Sequence, residues 1–359
     1  MPRPQIFITF QTLASTAIKR SDKGTLLLLL RDAKAEAQGT HVITRTSQIP
    51  EGISEDNKTY IERAFEGYEN APKKIILHID TAESEDLSAG IAFARTQDFD
   101  YLCGPPDVTP EECTAIITMV KDERAHNHKV KAVLPNQAAD HEGIVNFTGD
   151  GIKVGKTTFN TAQYCSRIAG IIAGTPMKMS CTYAPLPEVE DITRLTDKDG
   201  DTAVDAGKLI LEHDGVKVKL SRAVNSLTSL TTTKGKQFQK IKIVELMDMI
   251  FKDIRQTVTD QYIGKFTNSY DNKMILVTAI KNYLQLMERD GLIREGSSVA
   301  EIDLDAQTKY LIENGVDVSE MSEQQIKEAN TGSSVFIKVS ISPLDAIEDV
   351  FIPFTIENA

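Results

Sequence analysis

The chain begins and ends on alternation. In residues 5–10, Ile6, Ile8 and Phe10 fall on one side of a period-two pattern, with Phe7 between them. That period predicts a strand, and Pro2 and Pro4 ahead of it make the segment a terminal arm. At the far end Val350, Ile352, Phe354 and Ile356 also point one way, so residues 350–356 read as a second arm strand. Between the arms the pattern first follows a strand–helix rhythm. Residues 26–30 are five leucines, a run suited to a buried strand and bracketed closely by Arg20, Asp22, Lys23, Arg31 and Asp32. That run is far too short to span a bilayer. Residues 74–79 predict a central strand, and 84–96 a helix with Leu87, Ile91 and Ala94 on one face. A strand at 101–103 stops at Gly104-Pro105-Pro106. Thr109-Pro110-Glu111-Glu112 then opens a helix, with Thr109 as N-cap, Pro110 at the first position and Glu112 closing a capping box. Strands at 130–134 and 144–147 and a helix at 160–174 continue the series. Strands alternating with helices imply a mainly parallel sheet with helices on its faces.

Residues 182–205, rich in Pro, Asp and Thr, read as a surface loop region. Residues 208–220 predict a hairpin, with Leu209 and Leu211 facing Val216, Val218 and Leu220 across a tight turn at Asp214-Gly215. Near Thr231 the period lengthens. Phe238, Ile241, Val244, Met247, Ile250, Ile254 and Val258 step by three or four, which predicts one long amphipathic helix over 235–259. Met274, Val277, Ile280, Leu284 and Met287 give a second helix, ended by Asp290-Gly291. Short helices at 304–314 and 322–330 and a strand at 335–341 follow. The expected fold is therefore mixed α+β: an α/β domain with a mainly parallel sheet over 21–230, and an α+β domain over 231–342. Extended β arms at 1–20 and 343–359 flank them.

Composition narrows the function. The chain has 359 residues with 40 Lys plus Arg against 52 Asp plus Glu, a net charge of -12. A general nucleic-acid binder needs a net basic face, so that class is disfavoured. The N-terminal residues lead into the short alternating segment and show no apolar signal core. Cys103, Cys113, Cys165 and Cys181 form no CxxC pair and fit buried thiols in a reducing compartment.

Candidate chemistry is thin. Residues 149–157 (Gly-Asp-Gly-Ile-Lys-Val-Gly-Lys-Thr) resemble a phosphate loop, but that loop needs four residues between its first Gly and Gly-Lys-Thr. Position 150, where the glycine should stand, is an Asp that would repel phosphate, and the flanks read as a hairpin. Residues 197–201 (Asp-Lys-Asp-Gly-Asp) look like a calcium loop but have Thr202 and Lys208 where Gly and a bidentate Glu are required. His126 and His128 suit a helix C-terminus. No His–Cys spacing fits zinc, and no nucleophile elbow occurs. The reading is a non-enzyme with no cofactor and no metal.

Two features point to assembly instead. Either terminal arm could pair within its own domain, or its alternating side chains could complete a neighbour's sheet. In addition, the segment from Lys234 to Arg289 holds ten basic and six acidic residues, a local +4 inside the acidic chain. Its lysines, among them Lys252, Lys265, Lys273 and Lys281, are a solvated helix face or a docking surface for an acidic partner.

Several stretches in order carry a family resemblance. They are residues 17–24 (Ala-Ile-Lys-Arg-Ser-Asp-Lys-Gly), 98–103, 141–147, 167–176, 222–228, 262–265, 328–332 and 343–349. The chain resembles the tail sheath proteins of contractile phages, especially the short sheaths of Gram-positive defective prophages and phage-tail-like bacteriocins. The resemblance implies a structural subunit stacked in six-fold rings as a helical polymer around a tail tube. Its other partners would be baseplate and tail terminator proteins, without direct contact to nucleic acid or membrane. It implies an outer, subtilisin-like sheath domain over 21–230 without catalytic function, and a tube-facing domain over 231–342. Ile6, Phe7, Ile8, Phe10, Val350, Ile352, Phe354 and Ile356 would be donated to neighbouring copies, while Lys252, Lys265, Lys273 and Lys281 would face the tube. Assembly would take place in the bacterial cytoplasm, before the subunit becomes part of a virion or a released particle. A soluble α/β enzyme of unknown chemistry and another tail or baseplate component are the alternatives.

Overall fold

A computed structural model describes residues 17–20 and 23–356. The chain divides into two compact units. One holds residues 23–249 with 345–356, and the other holds residues 17–20 with 250–344.

The larger unit is built on a seven-stranded sheet. β1 (Thr25–Asp32) and β2 (Gly39–Ile43) are followed by α1 (Glu55–Glu66), β3 (Lys74–Thr81), α2 (Ser88–Ala94) and β4 (Tyr101–Cys103). Then come α3 (Pro110–Ala125), β5 (Lys131–Pro135), β6 (Ile144–Phe147), β7 (Ile152–Val154), β8 (Thr157–Phe159) and α4 (Thr161–Gly174). The spatial order is β2-β3-β1-β4-β5-β6 and last β9 (Lys208–Leu209), all parallel except β2. The leucines of β1 explain why this run is a strand without alternation. Leu26, Leu28 and Leu30 enter the core beneath α1 and α4, while Leu27 and Leu29 enter the core beneath α2 and α3. A strand covered on both faces is apolar at every position.

Helix α4 lies against α1 at very close range. A Cβ on Gly170 would sit 2.2 Å from the carbonyl oxygen of Ala64, so glycine is required there. The capping box expected at Thr109 and Glu112 is present, and a second one, Asn160 with Gln163, opens α4.

The structure departs from expectation in several places. The helix expected at 84–96 is only α2, because Asp86 instead binds the backbone N–H of Ser88 in a turn. The loop region contains α5 (Asp197–Asp205), capped by Thr196 and with Asp197 and Asp199 in the first turn, where the helix dipole favours them. The calcium-like residues are thus a helix. The hairpin is narrower than expected: Leu209 belongs to the main sheet, and only β10 (Leu211–His213) and β11 (Val218–Leu220) pair. Their loop spans residues 214–217 and is held by the Asp214 carboxylate, so Val216 points to solvent. The phosphate-loop-like stretch 149–157 runs into the β7–β8 hairpin of residues 152–159, with Gly155 at its turn.

Helix α6 (Ile241–Gln261) starts later than expected, after a 3-10 turn at Lys236–Gln239, and the boundary between the units falls within it. The smaller unit contains α7 (Tyr270–Arg289), β12 (Val299–Ile302), α8 (Leu304–Glu313), α9 (Glu323–Glu328) and β13 (Ile337–Ser340). Helix α7 buries Val277, Ile280, Tyr283, Leu284 and Met287, and the Tyr283 hydroxyl donates to Asp253 at 2.6 Å. β12 and β13 form an antiparallel two-stranded sheet. Beyond Ser340 no ladder forms among the described residues, so the strand expected over 350–356 has no partner among them.

Candidate assembly interface

Three surfaces bear on assembly: the C-terminal arm, the small β12–β13 sheet and the basic helices. Ile6, Phe7, Ile8 and Phe10 lie outside the described residues.

The C-terminal arm has a fixed root and a free end. At the root Glu348 is a carboxylate whose side chain is 6% exposed. It accepts hydrogen bonds from the Thr182 hydroxyl at 2.6 Å, the Ser180 hydroxyl at 3.2 Å and the Lys240 ammonium at 3.1 Å. The Arg222 guanidinium approaches it at 3.5 Å and also grips Asp349, while Lys240 grips Asp345. Burial works against the Lys240 charge, but Asp345 and Glu348 outweigh it and raise its pKa. The pKa of Arg222 is raised chiefly by its hydrogen bond to Asp349. Past this root the chain is bare. Val350 and Ile352 are about two-thirds exposed, and Phe351, Phe354 and Ile356 stand 90%, 87% and 91% exposed. Pro353 sits in the middle of the segment. The alternation seen in the sequence thus has no buried side in the single chain.

Among the described residues the β12–β13 sheet has two strands, and one edge of each meets no further strand. Ala300 and Val339 are paired in register, yet Ala300 is buried and Val339 is 40% exposed. The β13 side of this face is the less covered.

The four candidate lysines are placed differently from one another. Lys281 on α7 and Lys265 after α6 are exposed, and Lys265 donates to the carbonyl of Asp260. Lys252 on α6 is half-buried. Lys273 is only 2% exposed and donates to the Ala329 carbonyl at 3.2 Å, and burial lowers its pKa. Its ammonium serves the fold of the smaller unit and not its solvent face.

A second ionic cluster, invisible in the sequence, holds the first turns of α6 within the larger unit. Arg124 binds Asp248 through two parallel bonds of 2.7 and 3.0 Å. Lys131 lies 3.2 Å from Asp248 and 3.3 Å from Glu245, and Lys23 lies 2.8 Å from Glu245. Burial alone would raise the Glu245 carboxyl, but Lys131 and Lys23 more than offset that and hold it down at about 2. Nearby, burial pushes His141 down to about 4, helped by Arg124 and Lys234 against the opposing pull of Glu142.

Among the described residues no group of His, Cys, Asp and Glu could hold a metal ion, and no helix is long and apolar enough to cross a membrane. The four cysteines are buried free thiols, and burial raises the pKa of each.

Comparison with known proteins shows the family. Residues 80–226 match the family model of the phage tail sheath protein central domain, and residues 233–357 match the phage tail sheath C-terminal domain. The tail sheath protein of Clostridium phage phiCD119 is 38% identical over 353 residues, covering 96% of this chain and 97% of that one. Among solved structures, a chain of the anti-feeding prophage helical sheath in the contracted state superposes with a TM-score of 0.72 at 14% identity, covering 98% of both chains. A chain of the six-fold symmetrised anti-feeding prophage baseplate gives 0.69 at 14% identity, covering 99% of both. At that identity the likeness is one of fold.

Proposed function

Because the chain belongs to the phage tail sheath family, whose members are structural proteins and not enzymes, we propose that it polymerises as stacked six-membered rings around an inner tube and drives that tube forward by contraction. Residues 350–356 of each copy complete the sheet of a neighbour, with the open edge of β13 as acceptor. Residues 5–10 act in the same way at the other terminus. The observation that carries this reading is the C-terminal arm, firmly rooted through Glu348 and then apolar and bare to Ile356. Covering side chains of this kind is worth roughly 1.5–3 kcal/mol each before ordering costs. Main-chain hydrogen bonds to an open edge add register.

The extended sheath is metastable, and contraction buries more surface between copies. Each copy need gain only about a few kcal/mol, because very many act together. The region 231–342 faces the tube, with the ammonium groups of Lys252, Lys265 and Lys281 towards an acidic surface, and 21–230 lies outside. Baseplate and terminator proteins bind the two ends of the polymer, and neither nucleic acid nor membrane is touched directly. Assembly occurs in the bacterial cytoplasm, after which the subunit belongs to a virion or a released tail-like particle.

Negative-stain microscopy tests the reading. The full chain should form tubes or rings, and a chain lacking residues 350–359 should remain folded but unpolymerised. Normal tubes from the truncated chain would remove the arm from the mechanism.

A further inference from the structure

We propose that the ionic clasp at residues 345–349 is a releasable store of chain that sets how far the C-terminal arm can reach. The inference rests on the arm acting between copies, as proposed above, and adds a device to it.

The clasp is made from distant parts of one unit. Asp345, Glu348 and Asp349 meet Lys240 and Arg222, with Ser180 and Thr182 beneath. The interval holds three carboxylates in five residues and no regular secondary structure. Ile347 within it is 89% exposed, so the segment is held by charge and hydroxyl contacts and not by an apolar core. Polar fastening of this kind can be undone without leaving an apolar hole, and its outer pairs, half-exposed, are screened by salt.

Chain geometry gives the consequence. With the clasp shut, the arm departs at Val350, and the stretch to Ile356 spans at most about 23 Å when extended. With the clasp open, the arm departs near Asp345 and gains about 17 Å. A tether between neighbours that slide past one another needs slack of this order. A buried apolar root would have to tear, whereas this one unfastens and refastens. Glu348 is the positioning residue, since it alone meets four partners drawn from three segments.

Two measurements test the device. First, spin labels on Asp191→Cys and Ile356→Cys report the reach in the single chain, the four native thiols being buried. At low salt the distance distribution should be narrow. In 0.5 M salt (about a 4 Å screening length) or in the Asp345→Asn/Glu348→Gln/Asp349→Asn variant, it should broaden. An identical distribution in all three samples overturns the proposal. Second, the Lys240→Cys/Asp345→Cys chain can be locked shut with a reducible bis-maleimide, whose spacer bridges the span of the lost lysine and aspartate side chains. The locked chain should still polymerise, but its tubes should hold a single length until reductant is added. Locked tubes that shorten as readily as reduced ones overturn the store. Failure of arm donation is read separately, because it would show as normal tubes from the chain lacking residues 350–359.

Discussion

The ionic clusters at the foot of α6 and at the arm root use the same side-chain chemistry and stand in opposite solvent. At the foot of α6, Arg124, Lys131 and Glu245 are 7%, 4% and 5% exposed. At the arm root, Arg222 and Asp349 are 36% and 56% exposed, with only Glu348 well covered. In the first cluster removing one partner leaves a charge that water cannot reach. In the second, water and salt can replace most partners. Burial, more than the number of pairs, therefore separates a permanent joint from a temporary one.

The sharpest way to break this comparison is at Asp248. Asp248→Ala leaves Arg124 and Lys131 facing each other without their shared carboxylate and should cost about 3–5 kcal/mol, read from the urea midpoint of the purified chain. A cost below about 1 kcal/mol would place the two clusters in one class.

Acid should act next, and on the buried cluster. His141 has a folded pKa near 4 against an ordinary 6.5, so the unfolded chain binds the proton first. Its contribution is intact above pH 6.5 and is lost as pH falls from there towards 4. Glu245 is depressed from 4.5 to about 2, so its contribution is intact above 4.5 and fades as pH falls towards 2. Thermal melts should therefore decline in two stages below pH 6.5, and His141→Asn should flatten the upper stage alone.

At the arm root the same measurements should move little. Glu348→Gln should change global stability by no more than about 1.5 kcal/mol, while hydrogen exchange at Ala346 and Ile347 quickens. A large global loss would make the root part of the folding core. The smallest effect is expected from the basic helices. Lys265→Glu with Lys281→Glu should leave stability within about 0.5 kcal/mol and weaken binding to tube protein only in low salt. Unchanged tube affinity would remove the electrostatic docking.

The parts legible in the sequence share a cause. β1, β3, β4, β5 and β6 are apolar runs because both faces are covered, and α3 announces itself through its capping box. Helix α1 was not read, because buried Asn57 and Arg63 break its apolar stripe. Helix α5 was hidden by Gly200 and a series of aspartates, residues of low helix propensity, and it buries none of its side chains. β2 and β12 are an edge strand and one half of a two-stranded sheet, where the pattern is weakest.

The arms were legible as alternation, but their root was not. Thr182, Arg222, Lys240 and Glu348 are far apart in sequence and meet only in the fold. Lys273 could have been placed by its spacing. It precedes Val277, Ile280 and Leu284 by four, seven and eleven residues and so lies on the apolar face of α7, but its charge directed the reading outward.

Pro353 gives the arm a handedness of another kind. Successive peptide groups of an extended chain address opposite flanks, so 350, 352, 354 and 356 serve one flank and 351, 353 and 355 the other. Proline brings no amide hydrogen to the second flank. Only the first can zip without interruption, and a ribbon with one sound flank takes one partner and then stops. A sticky seven-residue tail can thereby exist at high concentration before it is used, with its tendency to stack into fibres curbed by a single missing proton.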